Sequence, residues 1–381
     1  MESFGAPTFE AYSRSSGDSY TTYTNPYGNT TVVDTVREEM LPLIDAHWYQ
    51  FPPLNPMWYN LVCFFNVVTA TLSITGNATV VYIFSCTKSL RTPSNYYVIS
   101  LAVSDFTMMF CMCPPLVINS YYQTWVWGPT NCWIYAAIGS LTGTVSITCM
   151  CLITSDRYNV IVRGIGGTPL TSGRALINVF LAWIMSAFWT FIPFFGWGRY
   201  VPEGNMCACG TDYFSMDINN LSYVHVYTLW CYVLPFIYIC AAYFYIVKCV
   251  HDHEKQMKEQ AKKMGVKSLR SDKEAMKKSS DCKLAKVALM TISLWFMAWT
   301  PYTIINMAGF WSPSIVTPLF SIWGSVFAKA NTIYNPIVYA ISHPKYKAAL
   351  HAKMPFLQCQ GDSSAVEDDS KSTSTTAEEK A

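Results

Sequence analysis

The chain has 381 residues, of which 51% are hydrophobic and 13% are charged, whereas a soluble domain has about 25% charged residues. This composition excludes an ordinary soluble protein and indicates a membrane protein. The net charge of +2 is too small to suggest nucleic acid as a partner, because nucleic-acid-binding domains are strongly basic.

The first 50 residues are polar and rich in Ser, Thr and Tyr. They lack the short apolar segment behind a basic start that is typical of a signal peptide. We therefore expect residues 1–56 to form an extracellular N-terminal segment that the first membrane helix carries across the bilayer. Asn29 begins a sequon and is a candidate for N-glycosylation on that side.

Seven long apolar runs follow, and each can supply the roughly 20 residues that a helix needs to cross a bilayer. The runs cover about 57–84, 95–120, 130–161, 175–197, 221–249, 284–309 and 318–341. Because they are continuous rather than alternating, they predict helices and not a β-barrel. The predicted fold is an all-α membrane protein, a seven-transmembrane-helix bundle over residues 57–342.

Positive charges indicate the orientation of this bundle. Lys and Arg collect in the segments after the first, third, fifth and seventh runs, whereas the opposite loops hold Arg199 alone. Short loops rich in Lys and Arg stay in the cytoplasm. The N-terminus is therefore predicted to be extracellular and the C-terminus cytoplasmic.

Two cytoplasmic segments have their own patterns. Residues 251–280 are highly charged and predict amphipathic extensions of the fifth and sixth helices, or else a solvated loop. Residues 343–358 predict a short amphipathic helix on the inner membrane face, with Tyr346, Ala349 and Leu350 toward lipid.

The C-terminal tail, residues 359–381, is rich in Asp, Glu, Ser and Thr and is expected to be disordered. Cys359 at its start is a candidate for palmitoylation. The serines and threonines beyond it are candidate kinase sites.

Ionisable residues inside membrane spans are costly and mark function. Lys329 lies in the middle of the seventh run, too deep to extend easily to either face. Such a lysine either forms a salt bridge with an acidic residue of a neighbouring helix or forms a Schiff base with a carbonyl compound, and the residues alone leave both possibilities open. Asp105 is expected to form a polar cluster with Asn77, Asn331 and Asn335 inside the bundle.

A set of short motifs falls on the predicted helices in a fixed order. The set comprises Gly76-Asn77, Asp105 within LAVSD, Cys132, Asp156-Arg157-Tyr158, Trp183, Pro235, Trp299-Thr300-Pro301-Tyr302 and Asn335-Pro336-Ile337-Val338-Tyr339. Taken together, these motifs resemble those of the rhodopsin-like G-protein-coupled receptors, over residues 57–353. The resemblance implies a heterotrimeric G protein as partner, and arrestin and a receptor kinase as regulators.

Within that family the chain resembles an opsin, because Lys329 stands where opsins carry the retinal-binding lysine. Residues 202–213 are similar to the segment that covers the retinal pocket in opsins. The resemblance implies 11-cis retinal bound covalently to Lys329 as a protonated Schiff base. The pocket walls that it implies are Gly143, Tyr227, Cys231, Trp299, Tyr302 and Ala328.

The same resemblance implies an extracellular disulfide between Cys132 and Cys209. The sequence leaves a pairing of Cys132 with Cys207 as the alternative.

One departure from the vertebrate pattern indicates the subtype. Tyr135 stands where vertebrate visual opsins carry the glutamate counterion of the Schiff base. The chain therefore resembles invertebrate rhabdomeric opsins, in particular those of arthropods, spiders among them. In these a loop glutamate is the counterion, and Glu203 fits that role, either at a distance or through a hydrogen-bonded chain with Tyr135, with or without water.

Rhabdomeric opsins imply a Gq-type partner and a place in the plasma membrane of photoreceptor microvilli. In the dark, Arg157 is expected to pair with Asp156 and with Asp281. On activation the sixth helix is expected to swing outward, and Tyr243 and Tyr339 to move inward and hold the active form. The other residues assigned to G-protein activation are Tyr158, Asn335 and Pro336.

Three other functions are less consistent with the sequence. A receptor for a diffusible amine or peptide would leave Lys329 unexplained, and the aspartate that binds amines is missing from the third run. A transporter or ion pump usually lines its path with several carboxylates inside the membrane. An enzyme would need a nucleophile–base set, a metal cluster or a phosphate loop, and the sequence shows none of these.

Overall fold

A computed structural model describes residues 30–263 and 273–355 of the chain. The predictions for Asn29, for Cys359 and for the tail 359–381 lie outside the described residues.

Eight helices in the described part carry the architecture. They are α1 (Pro56–Cys86), α2 (Asn95–Tyr122), α3 (Gly128–Tyr158), α4 (Ser172–Phe191), α5 (Ile218–Thr228, continued by Leu234–Lys263), α6 (Lys273–Trp311), α7 (Pro318–Ala330, continued by Tyr334–Ser342) and α8 (Pro344–Lys353). The first seven form the predicted seven-helix bundle. Six of them are, by length and composition, able to cross a membrane as continuous helices, whereas α7 consists of two shorter pieces.

The starts of several helices follow from capping residues that the sequence supplies. The side chains of Asn55, Thr171, Asp217 and Thr317 each accept a hydrogen bond from a backbone N–H in the first turn of α1, α4, α5 and α7, respectively. Such caps satisfy donors that the helix itself leaves without a partner. They place the helix starts within a few residues of the predicted positions.

Two helices are interrupted near prolines. In α5 a π turn, Leu229–Val233, precedes Pro235, and in α7 a 3₁₀ turn, Asn331–Ile333, precedes Pro336. Proline has no N–H and cannot bond the carbonyl four residues earlier, so that carbonyl is left free for another donor. In α7 the freed carbonyl of Thr332 accepts a hydrogen bond of 2.9 Å from Asn77 Nδ2 of α1.

The close approach of α1 and α7 at this point depends on Gly76. A Cβ at Gly76 would lie 2.9 Å from Cβ of Pro336, which is shorter than real side-chain contacts. The Gly76-Asn77 motif therefore allows α1 to pack closely against the 3₁₀ turn and Pro336 of α7.

The end of the bundle that is predicted to be extracellular is covered by an antiparallel hairpin. Strands β1 (Tyr200–Glu203) and β2 (Ala208–Thr211) pair Tyr200 with Thr211 and Glu203 with Ala208, and all eight residues are buried. A disulfide joins Cys132 at the start of α3 to Cys209 of β2, which confirms the pairing implied by the resemblance. Cys207 is a free, buried thiol.

Residues 30–55 pack over this hairpin instead of extending into solvent. They include two short 3₁₀ helices, Glu38–Leu43 and Ala46–Gln50, which bury Met40 and Trp48. The His47 ring stacks on Phe214 with 4.3 Å between ring centroids. The polar composition of the N-terminal segment did not predict this packing.

At the opposite end, which is predicted to be cytoplasmic, α5 extends to Lys263 and α6 begins at Lys273, in line with the predicted helical extensions. The short helix after the seventh span is present as α8. One detail of the α8 prediction is wrong, because Tyr346 and Leu350 are buried inside the protein and do not face lipid. Tyr346 stacks on Phe84 of α1 with 5.3 Å between ring centroids.

Candidate functional site

Lys329 lies in the first piece of α7, and 7% of its surface is exposed. Its Nζ donates a hydrogen bond to Ser325 Oγ, one turn earlier on the same helix. Among the ion pairs of the described residues none involves Lys329, so the direct salt bridge considered from the sequence is not formed there. The amine is therefore held in the bundle by a neutral hydroxyl.

A cavity with a free volume of about 900 Å³, its open mouth included, begins at Lys329. The six predicted wall residues all line it together with Lys329 and Glu203: Gly143, Tyr227, Cys231, Trp299, Tyr302 and Ala328. The structure thus brings together side chains from α3, α5, α6 and α7 and from the extracellular hairpin.

Glu203 closes the cavity from the extracellular side. It ends β1, and 4% of its surface is exposed. Tyr302 Oη of α6 donates a hydrogen bond of 2.9 Å to Glu203 Oε1. Burial raises the pKa of Glu203, whereas the hydrogen bond from Tyr302 and the positive charge of Lys329 lower it. Glu203 is the one acidic side chain among the described residues that line this cavity.

Tyr135 lies beside the cavity and does not line it. Its ring is buried and meets Trp125 edge-on, with 5.2 Å between ring centroids. Its hydroxyl has no hydrogen-bond partner in the part of the chain that the structure describes. No direct hydrogen bond therefore joins Tyr135 to Glu203 in the described part of the chain, whereas Tyr302 bonds Glu203 directly.

The far end of the cavity is aromatic and closely packed. Trp299 stacks on Trp295 with 5.4 Å between ring centroids. A Cβ at Gly143 would lie 2.7 Å from Trp299, so a glycine is needed for α3 to pass the indole. Tyr227 Oη shares a hydrogen bond of 2.7 Å with Thr144 Oγ1.

Two lining residues at this end were not among the sequence predictions. Tyr232 lines the cavity and shares a hydrogen bond of 2.6 Å with Thr300 Oγ1, and Trp295 lines it next to Trp299. The helical spacing of Trp295 and Trp299, four residues apart, is the signal that could have identified Trp295.

At the cytoplasmic end, Arg157 joins three helices. It pairs with the neighbouring Asp156, and its Nη2 donates a hydrogen bond of 3.1 Å to Ser94 Oγ at the start of α2. Its Nη1 lies 3.9 Å from Asp281 Oδ1 of α6. The structure therefore places the predicted partners Asp156 and Asp281 on either side of Arg157.

The predicted tyrosines occupy separate positions around this end. Tyr243 Oη of α5 donates a hydrogen bond of 3.2 Å to the carbonyl of Ala285 in α6. The Tyr339 ring in α7 meets Phe84 of α1 at 6.2 Å between ring centroids. Neither makes a hydrogen bond to Arg157 in the described part of the chain.

One pair of the predicted polar cluster inside the bundle is joined by a direct hydrogen bond. Asn335 Nδ2 donates a hydrogen bond of 2.8 Å to Asp105 Oδ2, which ties α7 to α2 just before Pro336. Asn77 and Asn331 are buried in the same region of α1 and α7.

Comparisons with known proteins are consistent with this geometry. The model of the seven-transmembrane receptors of the rhodopsin family matches residues 76–339. The chain is 54% identical to a long-wavelength rhodopsin of Apis mellifera, covering 100% of this chain and 99% of that one. It is 58% identical to opsin-1 of Manduca sexta, over 89% of each chain, and 52% identical to a rhodopsin of Procambarus clarkii, over 94% of each. The crystal structure of squid rhodopsin superposes with a TM-score of 0.78 at 34% identity, over 86% of this chain and 94% of that chain.

Proposed function

Since this chain belongs to the rhodopsin family of seven-transmembrane receptors, as a relative of arthropod visual opsins and not an enzyme, we propose that it is a light sensor that carries 11-cis retinal on Lys329. The observation that carries the proposal is the buried amine of Lys329 at one end of a cavity whose other described walls are mostly apolar and aromatic. An amine in that position is the group that condenses with an aldehyde.

The residues around Lys329 fit retinal in their chemistry. The amine lies in one cavity with the rings of Tyr227, Trp295 and Trp299, which suit an apolar polyene. Gly143 lets α3 pass close to Trp299, because a Cβ at Gly143 would lie 2.7 Å from the indole. When bound, retinal supplies the absorption of visible light and the change from the cis to the trans shape.

The protein's own groups hold the charges of this site. Glu203 supplies a negative charge to balance a positive charge on the nitrogen of Lys329, since burial would otherwise favour loss of that charge. Tyr302 fixes the carboxylate of Glu203 by donating to it. The hairpin above, held to α3 by the Cys132–Cys209 disulfide, keeps water away from these groups.

The receptor's partner is a heterotrimeric G protein, and we propose that it is of the Gq type, as the resemblance to rhabdomeric opsins implies. We further propose arrestin and a receptor kinase as regulators and the plasma membrane of photoreceptor microvilli as the location. The trans form of retinal can shift the bundle toward the active conformation only to the extent that it binds the active conformation more tightly than the inactive one. Arg157, Tyr243 and Tyr339 are the residues expected to change contacts.

An absorption spectrum tests the pigment assignment. The purified chain is incubated with 11-cis retinal beside Lys329→Ala and, as a control, Lys88→Ala, which removes an exposed lysine of a cytoplasmic loop. We expect a visible band in the wild type and the control and none in Lys329→Ala. A well-folded wild type without a band would leave a receptor for a chemical ligand as the better account.

The choice of G protein is tested separately. Light-dependent nucleotide exchange is measured with purified Gq, Gi and Gs heterotrimers, and we expect the largest rate with Gq. A larger rate with another type would correct the partner without affecting the pigment assignment.

A further inference from the structure

A second cavity opens at the cytoplasmic end of the bundle and shares no lining residue with the cavity at Lys329. Its free volume is about 1150 Å³, its open mouth included. Its walls come from α3, the loop that follows α3, the start of α4 and the cytoplasmic half of α5. Exposed residues of both α4 and α5 line it, so the cavity faces the inner edge of the membrane.

Two arginines give this cavity a positive charge. Arg163 follows α3 and Arg174 lies in the first turn of α4, and both are exposed. Neither belongs to an ion pair among the residues that the structure describes. The guanidinium of Arg163 lies 6.0 Å from the ring centroid of Tyr158, which also lines the cavity.

One acidic side chain, Asp156, also lines the cavity, but its carboxylate has partners. Arg157 pairs with it, and Ser94 Oγ donates a hydrogen bond of 2.7 Å to it. The charge that remains available to a ligand is therefore positive. Arginine is the side chain best suited to phosphate, because its planar donors match two phosphate oxygens at once.

The α5 wall of the cavity forms an apolar notch. Tyr238 and Tyr245 are 43% and 51% exposed, and both line the cavity together with Ala241 and Ala242. Tyr238 and Tyr245 lie two turns apart on one face of the helix, at a rise of roughly 10 Å. Ala241 and Ala242, which lie between the two rings, carry only a methyl group each and so leave a notch between the rings.

We propose that this cavity binds an anionic phospholipid of the inner leaflet, with its phosphate between Arg163 and Arg174 and an acyl chain in the notch between Tyr238 and Tyr245. A free phosphate shares the headgroup chemistry, but it would make no use of the notch. The inner leaflet supplies anionic lipid at the depth where the positive-inside loops place the arginines. The site does not depend on retinal.

Native mass spectrometry of the full chain in detergent tests the proposal. The protein is titrated with phosphatidylserine, with phosphatidylcholine and with inorganic phosphate, and bound lipid is counted. We expect phosphatidylserine to bind more tightly than phosphatidylcholine. The double variant Arg163→Gln/Arg174→Gln should bind phosphatidylserine roughly 30-fold more weakly, since each cationic side chain contributes about fivefold.

Two further variants separate the site from general attraction. Lys88→Gln/Lys345→Gln removes the same charge from exposed positions on the same membrane face, outside the cavity, and should leave binding within about twofold of the wild type, because salt screens exposed charges that do not contact the bound phosphate. Ala241→Phe fills the notch without a change of charge and should weaken binding by about tenfold, as expected from displacing one or two CH₂ groups of the chain.

Three results would overturn the proposal. The first is an equal loss of phosphatidylserine binding in the two double variants. The second is an equal affinity for phosphatidylcholine and phosphatidylserine. The third is displacement of phosphatidylserine by inorganic phosphate together with no effect of Ala241→Phe on binding. The last would indicate a phosphate site without a lipid. Thermal unfolding shows whether each variant is folded, and Ala241→Phe decides the question if the arginine variant is not.

Discussion

Glu203 and Lys329 line one cavity without forming an ion pair within 4 Å, and Tyr302 bonds the carboxylate. If the carboxylate of Glu203 balances a positive charge on the lysine nitrogen, replacing Glu203 by a neutral residue will make that positive charge less stable. We therefore expect the visible band of Glu203→Gln pigment to be lost at a lower pH than that of the wild type. Absorption spectra from neutral to alkaline pH measure this. Glu38→Gln, an exposed acid on the same side, is the control, and an unchanged band in Glu203→Gln would exclude Glu203 as the counterion.

A second prediction about single residues follows from the hydrogen bond that Tyr302 donates to Glu203. It stabilises the charged form of Glu203 and so lowers the pKa of Glu203 against the effect of burial. In Tyr302→Phe that pKa should rise, so Glu203 gains its proton at a higher pH as the solution is acidified. We expect the acid-side change of the visible band to move up by about one pH unit or more, the effect of one hydrogen bond to a charged group.

Tyr232→Phe is the matched control for this experiment. Its hydroxyl lines the same cavity but bonds Thr300 at the other end. A shift of equal size in both variants would show that the change comes from cavity polarity in general and not from the bond to Glu203.

Single residues differ in how far the sequence could identify them. Lys329 was evident because a charge in the middle of a membrane span is costly. Glu203 was identified through the resemblance alone, because a loop glutamate has no such signal. Its bond to Tyr302 joins residues 99 positions apart, and the sequence pointed instead to Tyr135. Which tyrosine bonds Glu203 depends on how the hairpin packs against α6, and no sequence pattern indicates that packing.

At the scale of elements, the apolar runs predicted all seven membrane helices and their order. The runs are long because each helix must cross the bilayer, and this is a strong signal. The turns inside α5 and α7 were less predictable, because Pro235 and Pro336 mark a disturbance without indicating a π or a 3₁₀ turn. The packing of residues 30–55 was not predicted, since it depends on contacts such as the His47–Phe214 stack that have no local pattern.

The start of α8 provides a prediction at the scale of an element. His343 caps this helix, and its Nδ1 accepts a hydrogen bond of 3.1 Å from the backbone N–H of Tyr346. Burial lowers the pKa of His343 from 6.5 to about 4. The neutral ring therefore stabilises the folded state above pH 6.5, and this contribution is lost as the pH falls toward 4. Hydrogen exchange of the α8 amides, corrected for the intrinsic rate, should accelerate over this interval.

Two variants of His343 test the cause. His343→Asn keeps an acceptor that does not titrate, so exchange in α8 should no longer change between these pH values. His343→Ala removes the cap and should cost about 1 kcal/mol, raising exchange in α8 several-fold at neutral pH. The same acid dependence in His343→Asn as in the wild type would assign the effect to another group.

At the scale of the whole molecule, polar contacts cross the bundle at two levels. Near the middle, Asp105 of α2 accepts from Asn335 of α7, and Asn77 of α1 donates to the carbonyl of Thr332. At the cytoplasmic end, Arg157 of α3 contacts both α2 and α6. The contacts near the middle surround the 3₁₀ turn in α7. The contacts of Arg157 join α6 to α2 and α3. The outward movement of α6 that the resemblance implies for activation would have to break the contact between Arg157 and Asp281.

The pair of Arg157 and Asp281 is the direct test of this restraint. Its atoms are 3.9 Å apart and 23% of the Asp281 side chain is exposed, so we expect it to contribute about 0.2–1 kcal/mol. Asp281→Asn should raise nucleotide exchange on the G protein in the dark by up to about fivefold, and the maximal rate in light should stay the same.

Asp252→Asn, the control, makes the same change on α5, at an exposed position outside the ion pairs of the described residues. Dark activity that rises equally in both variants would indicate a general effect of cytoplasmic charge. Dark activity that is unchanged in Asp281→Asn would show that Asp156 and Ser94 hold Arg157 in the inactive position without α6.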